Sequence, residues 1–202
     1  YTVDVSVLSA TGETQTGNVS FARGERYMIK TSVPENFDIT KGRMPVEARV
    51  VNYEDSVVNT VVNVGLVPAD SSAVISAKIN GSGYIDVSGC RQGVYKVVSA
   101  CENADTVRSE VVLYDPTSKT SPCPDRLVWA PEWKLTTDVA GAGSWRYALK
   151  CDAHLLVTLW TADGIIYRRW EKGQAGFNTL AVKLPEGCDE ATLSLMATGG
   201  YM

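Results

Sequence analysis

Tyr84-Ile85-Asp86-Val87-Ser88-Gly89-Cys90-Arg91-Gln92-Gly93-Val94-Tyr95-Lys96-Val97-Val98-Ser99-Ala100-Cys101 decides how this chain folds. Tyr84 to Val87 is a short run suited to a strand, and Ser88-Gly89 breaks it. Val94 to Cys101 is a second such run. Side chains alternate across a strand, so Tyr95, Val97, Ser99 and Cys101 share one face. Gly93-Val94-Tyr95 puts a tyrosine at the head of that strand. There its hydroxyl can bond back to upstream backbone, the tyrosine corner of two-sheet sandwiches. Gly93 and Tyr95 therefore read as structural residues.

The flanking sequence repeats the pattern of strand, turn, strand. Tyr27 to Val33 is a strand stopped by Pro34. In Val46 to Asn52, Glu47, Arg49 and Val51 lie opposite Val46, Ala48 and Val50. Val57 to Leu66 reads as one long strand ended by Pro68, and Val74 to Ile79 as another. Gly81-Ser82-Gly83 reads as a turn, and Thr106 to Tyr114 closes the set. About seven short strands at this spacing predict an immunoglobulin-like antiparallel sandwich over 25–115. Upstream, residues 1–24 read as one hairpin, with strands Tyr1 to Ser9 and Thr14 to Ala22 about Ala10-Thr11-Gly12-Glu13, ended by Arg23-Gly24. A lone hairpin is marginal in water, so this one must join another sheet, as the end of a preceding sandwich.

Residues 116–126, Pro-Thr-Ser-Lys-Thr-Ser-Pro-Cys-Pro-Asp-Arg, read as an exposed linker, because proline cannot sit inside a sheet. All five tryptophans follow it: Trp129, Trp133, Trp145, Trp160 and Trp170. Trp145 to Lys150, Leu155 to Trp160, Ile165 to Trp170, Leu180 to Leu184 and Ala191 to Ala197 read as strands. Asp163-Gly164 marks a hairpin turn. Residues 127–202 thus form a second, Trp-rich sandwich, short of a full strand set at Met202. The fold class is all-β, with immunoglobulin-like sandwiches in tandem, each with its own core, one Val/Tyr-rich and one Trp/Leu-rich.

Composition narrows the function. The net charge of −4 comes from 19 basic and 23 acidic residues that are well mixed. Without a basic stripe interleaved with aromatics, nucleic-acid binding is disfavoured. No apolar run approaches the length that crosses a bilayer as a helix, so no membrane insertion by this segment is expected. The lack of a signal peptide and of an initiator Met reads as a processed protein or an excised piece. Cys90, Cys101, Cys123, Cys151 and Cys188 contain no C-x-x-C pair, and the one histidine is His154. Neither a metal nor a cofactor is expected. A Cys90–Cys101 disulfide requires the chain to double back, which the extended run Val94 to Ala100 opposes. The cysteines read instead as buried thiols acting as small hydrophobes.

No catalytic constellation stands out, and the chain reads as non-enzymatic. Cys151 and His154 are close in sequence, but three residues apart on a strand they face opposite ways. Glu54-Asp55 and Asp189-Glu190 read as solvated turn charges. Asn18-Val19-Ser20 and Asn80-Gly81-Ser82 match a glycosylation pattern that is common by chance. The tryptophans are the binding hint. Trp160 and Trp170, flanked by apolar residues, read as core. Trp129 and Trp133, in Leu-Val-Trp-Ala-Pro-Glu-Trp, read as an interdomain or interaction surface packed on the first sandwich. Exposed, such residues could stack on sugar rings or anchor a protein partner.

The order of these pieces resembles bacterial α2-macroglobulin-like proteins, notably of the Bacteroidetes type. Tyr1 to Val7 followed by Thr11-Gly12-Glu13-Thr14-Gln15-Thr16-Gly17 resembles a hairpin of that family. Ser32-Val33-Pro34-Glu35 resembles the opening of its next macroglobulin-like domain. Tyr84 to Tyr95 resembles its aspartate-x-serine-x-leucine-x-x-glycine-x-tyrosine segment, with Cys90 where leucine is usual. Leu113-Tyr114-Asp115 and Trp129 resemble the crossing into a further domain. The resemblance implies macroglobulin-like domains in a large periplasmic or cell-surface protein, often lipid-tethered, that traps proteases. Partners would be neighbouring macroglobulin-like domains of the same chain and, through the parent protein, proteases. In many members cleavage of a bait region exposes a thioester in a cysteine-glycine-glutamate-glutamine motif. No cysteine of this chain is followed by that motif, which makes the segment scaffold. The alternatives are a surface adhesin or carbohydrate-binding module using the Trp-rich domain, and an accessory sandwich of a larger enzyme.

Overall fold

Strands rich in Val, Ile and aromatics, punctuated by Gly, Pro and Asn, account for nearly all regular structure in the computed structural model, which describes residues 2–9, 11–20, 27–70, 74–188 and 190–199. The strands are β1 (Thr2–Leu8), β2 (Thr14–Ser20), β3 (Tyr27–Ser32), β4 (Asn36–Asp38), β5 (Arg43–Asn52), β6 (Val57–Val58), β7 (Val62–Pro68), β8 (Ile75–Ile79), β9 (Gly81–Asp86), β10 (Gly93–Ala100) and β11 (Val107–Tyr114). Then come β12 (Val128–Trp129), β13 (Ala142–Leu149), β14 (Ala153–Thr161), β15 (Gly164–Gly173), β16 (Gly176–Lys183) and β17 (Thr192–Gly199). One 3₁₀ turn spans Ile39–Lys41. Among the described residues no helix is long and apolar enough to cross a membrane.

β1 and β2 form a hairpin closed by bonds from the Ser9 amide to the Glu13 carbonyl (2.8 Å) and from the Gly12 amide to the Ser9 carbonyl (3.0 Å). Val3, Val5, Val7 and Val19 are exposed on it. The expected strand start at Tyr1, the turn residue Ala10 and the ending at Ala22-Arg23-Gly24 lie outside the described residues.

The first sandwich packs a five-stranded sheet, β4-β11-β10-β7-β8, on a sheet centred on β5. β5 pairs with β3, β6 and β9. β4 runs parallel to β11. The alternation read in β5 gives it an apolar inner face of Met44, Val46, Ala48 and Val50. These meet Val62, Val64 and Leu66 of β7 and Tyr95 and Val97 of β10 in one core. A fully buried Leu or Val contributes roughly 1.5–3 kcal/mol, so this interface holds the two sheets together.

Two expectations are corrected here. Val57 to Leu66 is two strands, because the chain changes sheet: β6 pairs with β5, β7 with β10 and β8. A tight bond from the Thr60 amide to the Val58 carbonyl (2.8 Å) makes the corner. Gly81-Ser82-Gly83 is strand, paired to Val46–Ala48. Gly81, at φ +82°, ends the turn. Gly83 is glycine for space, since a Cβ there would stand 2.5 Å from Ile79 Cδ1.

The second sandwich packs β12-β13-β16 on β15-β14-β17. Its core joins Trp145, Tyr147 and Leu149 of β13 to Leu155, Val157 and Leu159 of β14 and to Leu180 and Val182 of β16. The connecting segment is exposed only in part: Thr117, Lys119, Thr120 and Pro124 to Arg126 are exposed, whereas Pro122 and Cys123 are buried. The Gln92 side-chain amide donates to Ser118 Oγ (2.9 Å) and Thr120 Oγ1 (2.6 Å), tying the connector to the first sandwich.

Candidate functional site

At the tyrosine corner, Tyr95 Oη donates to the Arg91 carbonyl (2.9 Å), and Gly93 supplies φ +151° just before it. Burial pushes both the Tyr95 hydroxyl and the facing Cys90 thiol above their ordinary titration ranges. The hydroxyl bond ties the β9–β10 connection to the head of β10, and burial favours the neutral phenol and thiol there. Cys123 is buried and the other four cysteines are half-buried, fewer than the sequence reading placed inside. Cys151 lies in the bend before β14, while His154 is exposed on β14. Among the described residues no three His, Cys, Asp or Glu side chains converge to hold a metal.

Trp129 sits between the sandwiches. It is 2% exposed and joins Cys123 and Ala148 in a small apolar cluster that also takes in Val94, Val112 and Tyr114 of the first sandwich and Phe177 of the second. The Trp129 ring centroid lies 5.3 Å from that of Tyr114 and 6.1 Å from that of Phe177, edge-on to the latter. The Asn36 amide donates to the Pro131 carbonyl (2.9 Å), and the Phe177 amide to the Ser118 carbonyl (3.3 Å). Burial raises the Tyr114 hydroxyl, with Asp38 and Glu132 adding to the shift. The seam is thus apolar at its centre and hydrogen-bonded at its margin, the layout of a fixed interface.

Trp133 does not join this seam. It is 68% exposed and leans on Trp145 of its own sandwich at 5.7 Å. Trp145 in turn stacks on Tyr147 (5.3 Å) and donates Nε1–H to the Glu132 carbonyl (2.7 Å).

The core reading of Trp160 and Trp170 is overturned: they are 46% and 62% exposed. Period two decides this. Ala153, Leu155, Val157 and Leu159 take the inner face of β14, which turns His154, Leu156, Thr158 and Trp160 outward. Across the ladder Leu156 faces Trp170 on one side and Met196 on the other. Thr158 faces Arg168 and Ser194, Trp160 faces Ile165 and Thr192, and His154 faces Lys172 and Thr198. A register shift between Leu159 and Trp160 keeps Ile165 opposite Trp160. The odd-numbered apolar run from Leu155 to Leu159 was the sequence signal for this outer face; the even-numbered Trp160 belongs with His154 and Thr158.

An open cleft of about 1110 Å³ lies at one end of this sandwich, between residues 137–143 and 181–188. Arg169 beside it is committed already, donating to the Ala181 carbonyl (2.8 Å), pairing with Glu171 (2.7 Å) and lying over Tyr167.

No family model matches the chain, and no curated protein matches it. Solved structures of similar shape include the native Escherichia coli alpha-2-macroglobulin, over 94% of this chain and 16% of that one, at 8% identity and a TM-score of 0.43. They include a Salmonella alpha-2-macroglobulin reacted with methylamine, over 96% of this chain and 16% of that one, at 10% identity and a TM-score of 0.34. They also include the BSP domain of a biofilm associated protein, over 85% of this chain and 27% of that one, at 11% identity and a TM-score of 0.35. The chain spans 16–27% of the length of these chains. Bacterial alpha-2-macroglobulins and biofilm-associated domains are thus both among its neighbours, and likeness at this level assigns neither family.

Proposed function

We propose that this chain is a non-catalytic structural segment of a larger envelope protein, of the macroglobulin-like, protease-trapping kind, in the periplasm or at the cell surface. The supporting observation is the buried seam around Trp129, which holds two sandwiches in a set relation as a scaffold requires. The resemblance of Tyr84 to Tyr95 to macroglobulin-like sequence supplies the protease-trapping part of the reading. The test is to mix the natural, longer protein with a broad-specificity protease. Trapping predicts a protease that still cleaves a small peptide but no longer a large protein, or a covalent conjugate that survives denaturation. A protease that keeps full activity on the large substrate and forms no conjugate overturns the proposal.

A second reading, a surface adhesin or carbohydrate-binding module, is favoured by the outward Trp160 and Trp170.

A further inference from the structure

The outer face of the β15-β14-β17 sheet is open and sorted by chemistry. Along β15 it presents Ile165, Arg168, Trp170 and Lys172. Along β14 it presents His154, Leu156, Thr158 and Trp160, and along β17 Thr192, Ser194, Met196 and Thr198. Ile165 is 54% exposed and Met196 62%. Among the described residues no Asp or Glu takes a strand position on this face, although acidic residues outnumber basic ones 23 to 19 in the chain. Neither Arg168 nor Lys172 forms an ion pair among the described residues. The acid of β15, Glu171, points to the other side, where it pairs with Arg169.

Trp170 stands across the ladder from Leu156, four residues along β14 from Trp160. At about 3.3 Å per residue and about 4.8 Å between strands, the two tryptophan positions are roughly 14 Å apart. Arg168 lies between them on the neighbouring strand, and Ser194 and Thr158 complete its row.

We propose that this face binds an acidic glycan, with two sugar rings stacked on Trp160 and Trp170 and a uronate-type carboxylate between them on Arg168. The proposal rests on the second reading above. An indole offers a flat apolar platform to the C–H face of a pyranose. A guanidinium takes a carboxylate in two parallel hydrogen bonds. The threonine and serine hydroxyls are donors and acceptors suited to sugar hydroxyls. Three strands of about nine residues make a strip of roughly 14 by 30 Å in plan. A narrow open strip suits an extended chain.

The experiment is affinity electrophoresis and tryptophan fluorescence titration of the 202-residue chain with oligogalacturonate and alginate oligosaccharides at low salt, with fully methyl-esterified oligogalacturonate as the uncharged counterpart. The expected result is retardation and a fluorescence change with an acidic oligosaccharide, weakened by salt. Trp170→Ala and Trp160→Ala each lower affinity at least about tenfold, as removal of a stacking anchor does. Arg168→Gln lowers affinity for the acidic form by about tenfold and leaves the esterified form unaffected, the loss of one charge-assisted contact. These side chains point to solvent, and Arg168→Lys, which keeps the charge and loses the fork, provides a second, folded control. Equal, Trp-dependent binding of the esterified oligosaccharide overturns the acidic-glycan proposal and leaves carbohydrate binding standing. Absence of binding to all three oligosaccharides overturns both. Equal retardation by single-stranded DNA, or a dimer in sedimentation that Trp170→Ala dissolves, overturns the proposal in favour of bulk electrostatics or self-association.

Discussion

Trp129→Ala is expected to uncouple the two sandwiches. Trp129 is 2% exposed, and its ring touches Tyr114 from the first sandwich and Phe177 from the second. Truncating a buried tryptophan costs about 3–5 kcal/mol through lost burial and the cavity left behind. An aromatic pair adds about 0.5–1.5 kcal/mol beyond its area. If the chain melts as one unit, a domain of this size loses about 2–4 °C per kcal/mol, so the midpoint falls by roughly 6–20 °C. Because the lost contacts bridge two cores, the melt also separates into two transitions. The assay is differential scanning calorimetry alongside urea unfolding followed by tryptophan emission. A double-mutant cycle with Tyr114→Ala isolates the contact across the seam, for which coupling of at least about 0.5 kcal/mol is expected. A midpoint lowered by less than about 2 °C, or two substitutions that add within about 0.3 kcal/mol, would refute the view that this seam joins the sandwiches.

Other outcomes follow from the same geometry. Gly176 has φ +87°, and a Cβ there would meet the Lys119 backbone at 2.5 Å. Gly176→Ala should therefore destabilise by about 2–4 kcal/mol, combining left-handed strain with overpacking, and should raise proteolysis of the 116–126 connector. A cleavage rate and melting midpoint equal to the parent chain would count against that. Tyr95→Phe removes the bond to the Arg91 carbonyl and should cost about 0.5–1.5 kcal/mol in urea unfolding. Tyr84→Phe, on a 62% exposed tyrosine, should cost under about 0.5 kcal/mol, and equal effects of the two would remove the corner's structural role. Burial raises Tyr95, Tyr114, Tyr147, Cys90 and Cys123. Above the ordinary thiol and phenol values the unfolded chain has lost protons that the folded chain keeps, so stability falls as pH rises. It should be at full strength below about pH 8.5 and decline through about pH 10 toward the raised folded values. A urea midpoint unchanged from about pH 8 to 10.5 would contradict this.

The outward tryptophans illustrate what local pattern can carry. Flanking hydrophobicity assigned Trp160 and Trp170 to the core, whereas strict alternation from Leu155 to Leu159 places Trp160 outside. For Trp170, alternation alone was insufficient. Its face depends on the register of β15 against β14, which a bulge near Leu159 and Trp160 shifts by one residue. Val57 to Leu66 failed for a different reason. A strand that leaves one sheet for the other has the same composition as an unbroken one, and the Thr60 corner carries no Gly or Pro to mark it.

By itself the sequence determined the all-β class, the inner and outer faces of β5 and β10, and the tyrosine at the head of β10. All of these follow from neighbours a few residues apart along one strand. Tertiary structure alone decided that Pro122 of the connector is buried and that, of the two tryptophans expected between the sandwiches, Trp129 enters the seam and Trp133 does not. It also assembled Trp160, Arg168 and Trp170 on one open face. Those outcomes depend on which strands pair, in what register, and which sheet surfaces meet, and such contacts join residues far apart in the chain that no local periodicity records.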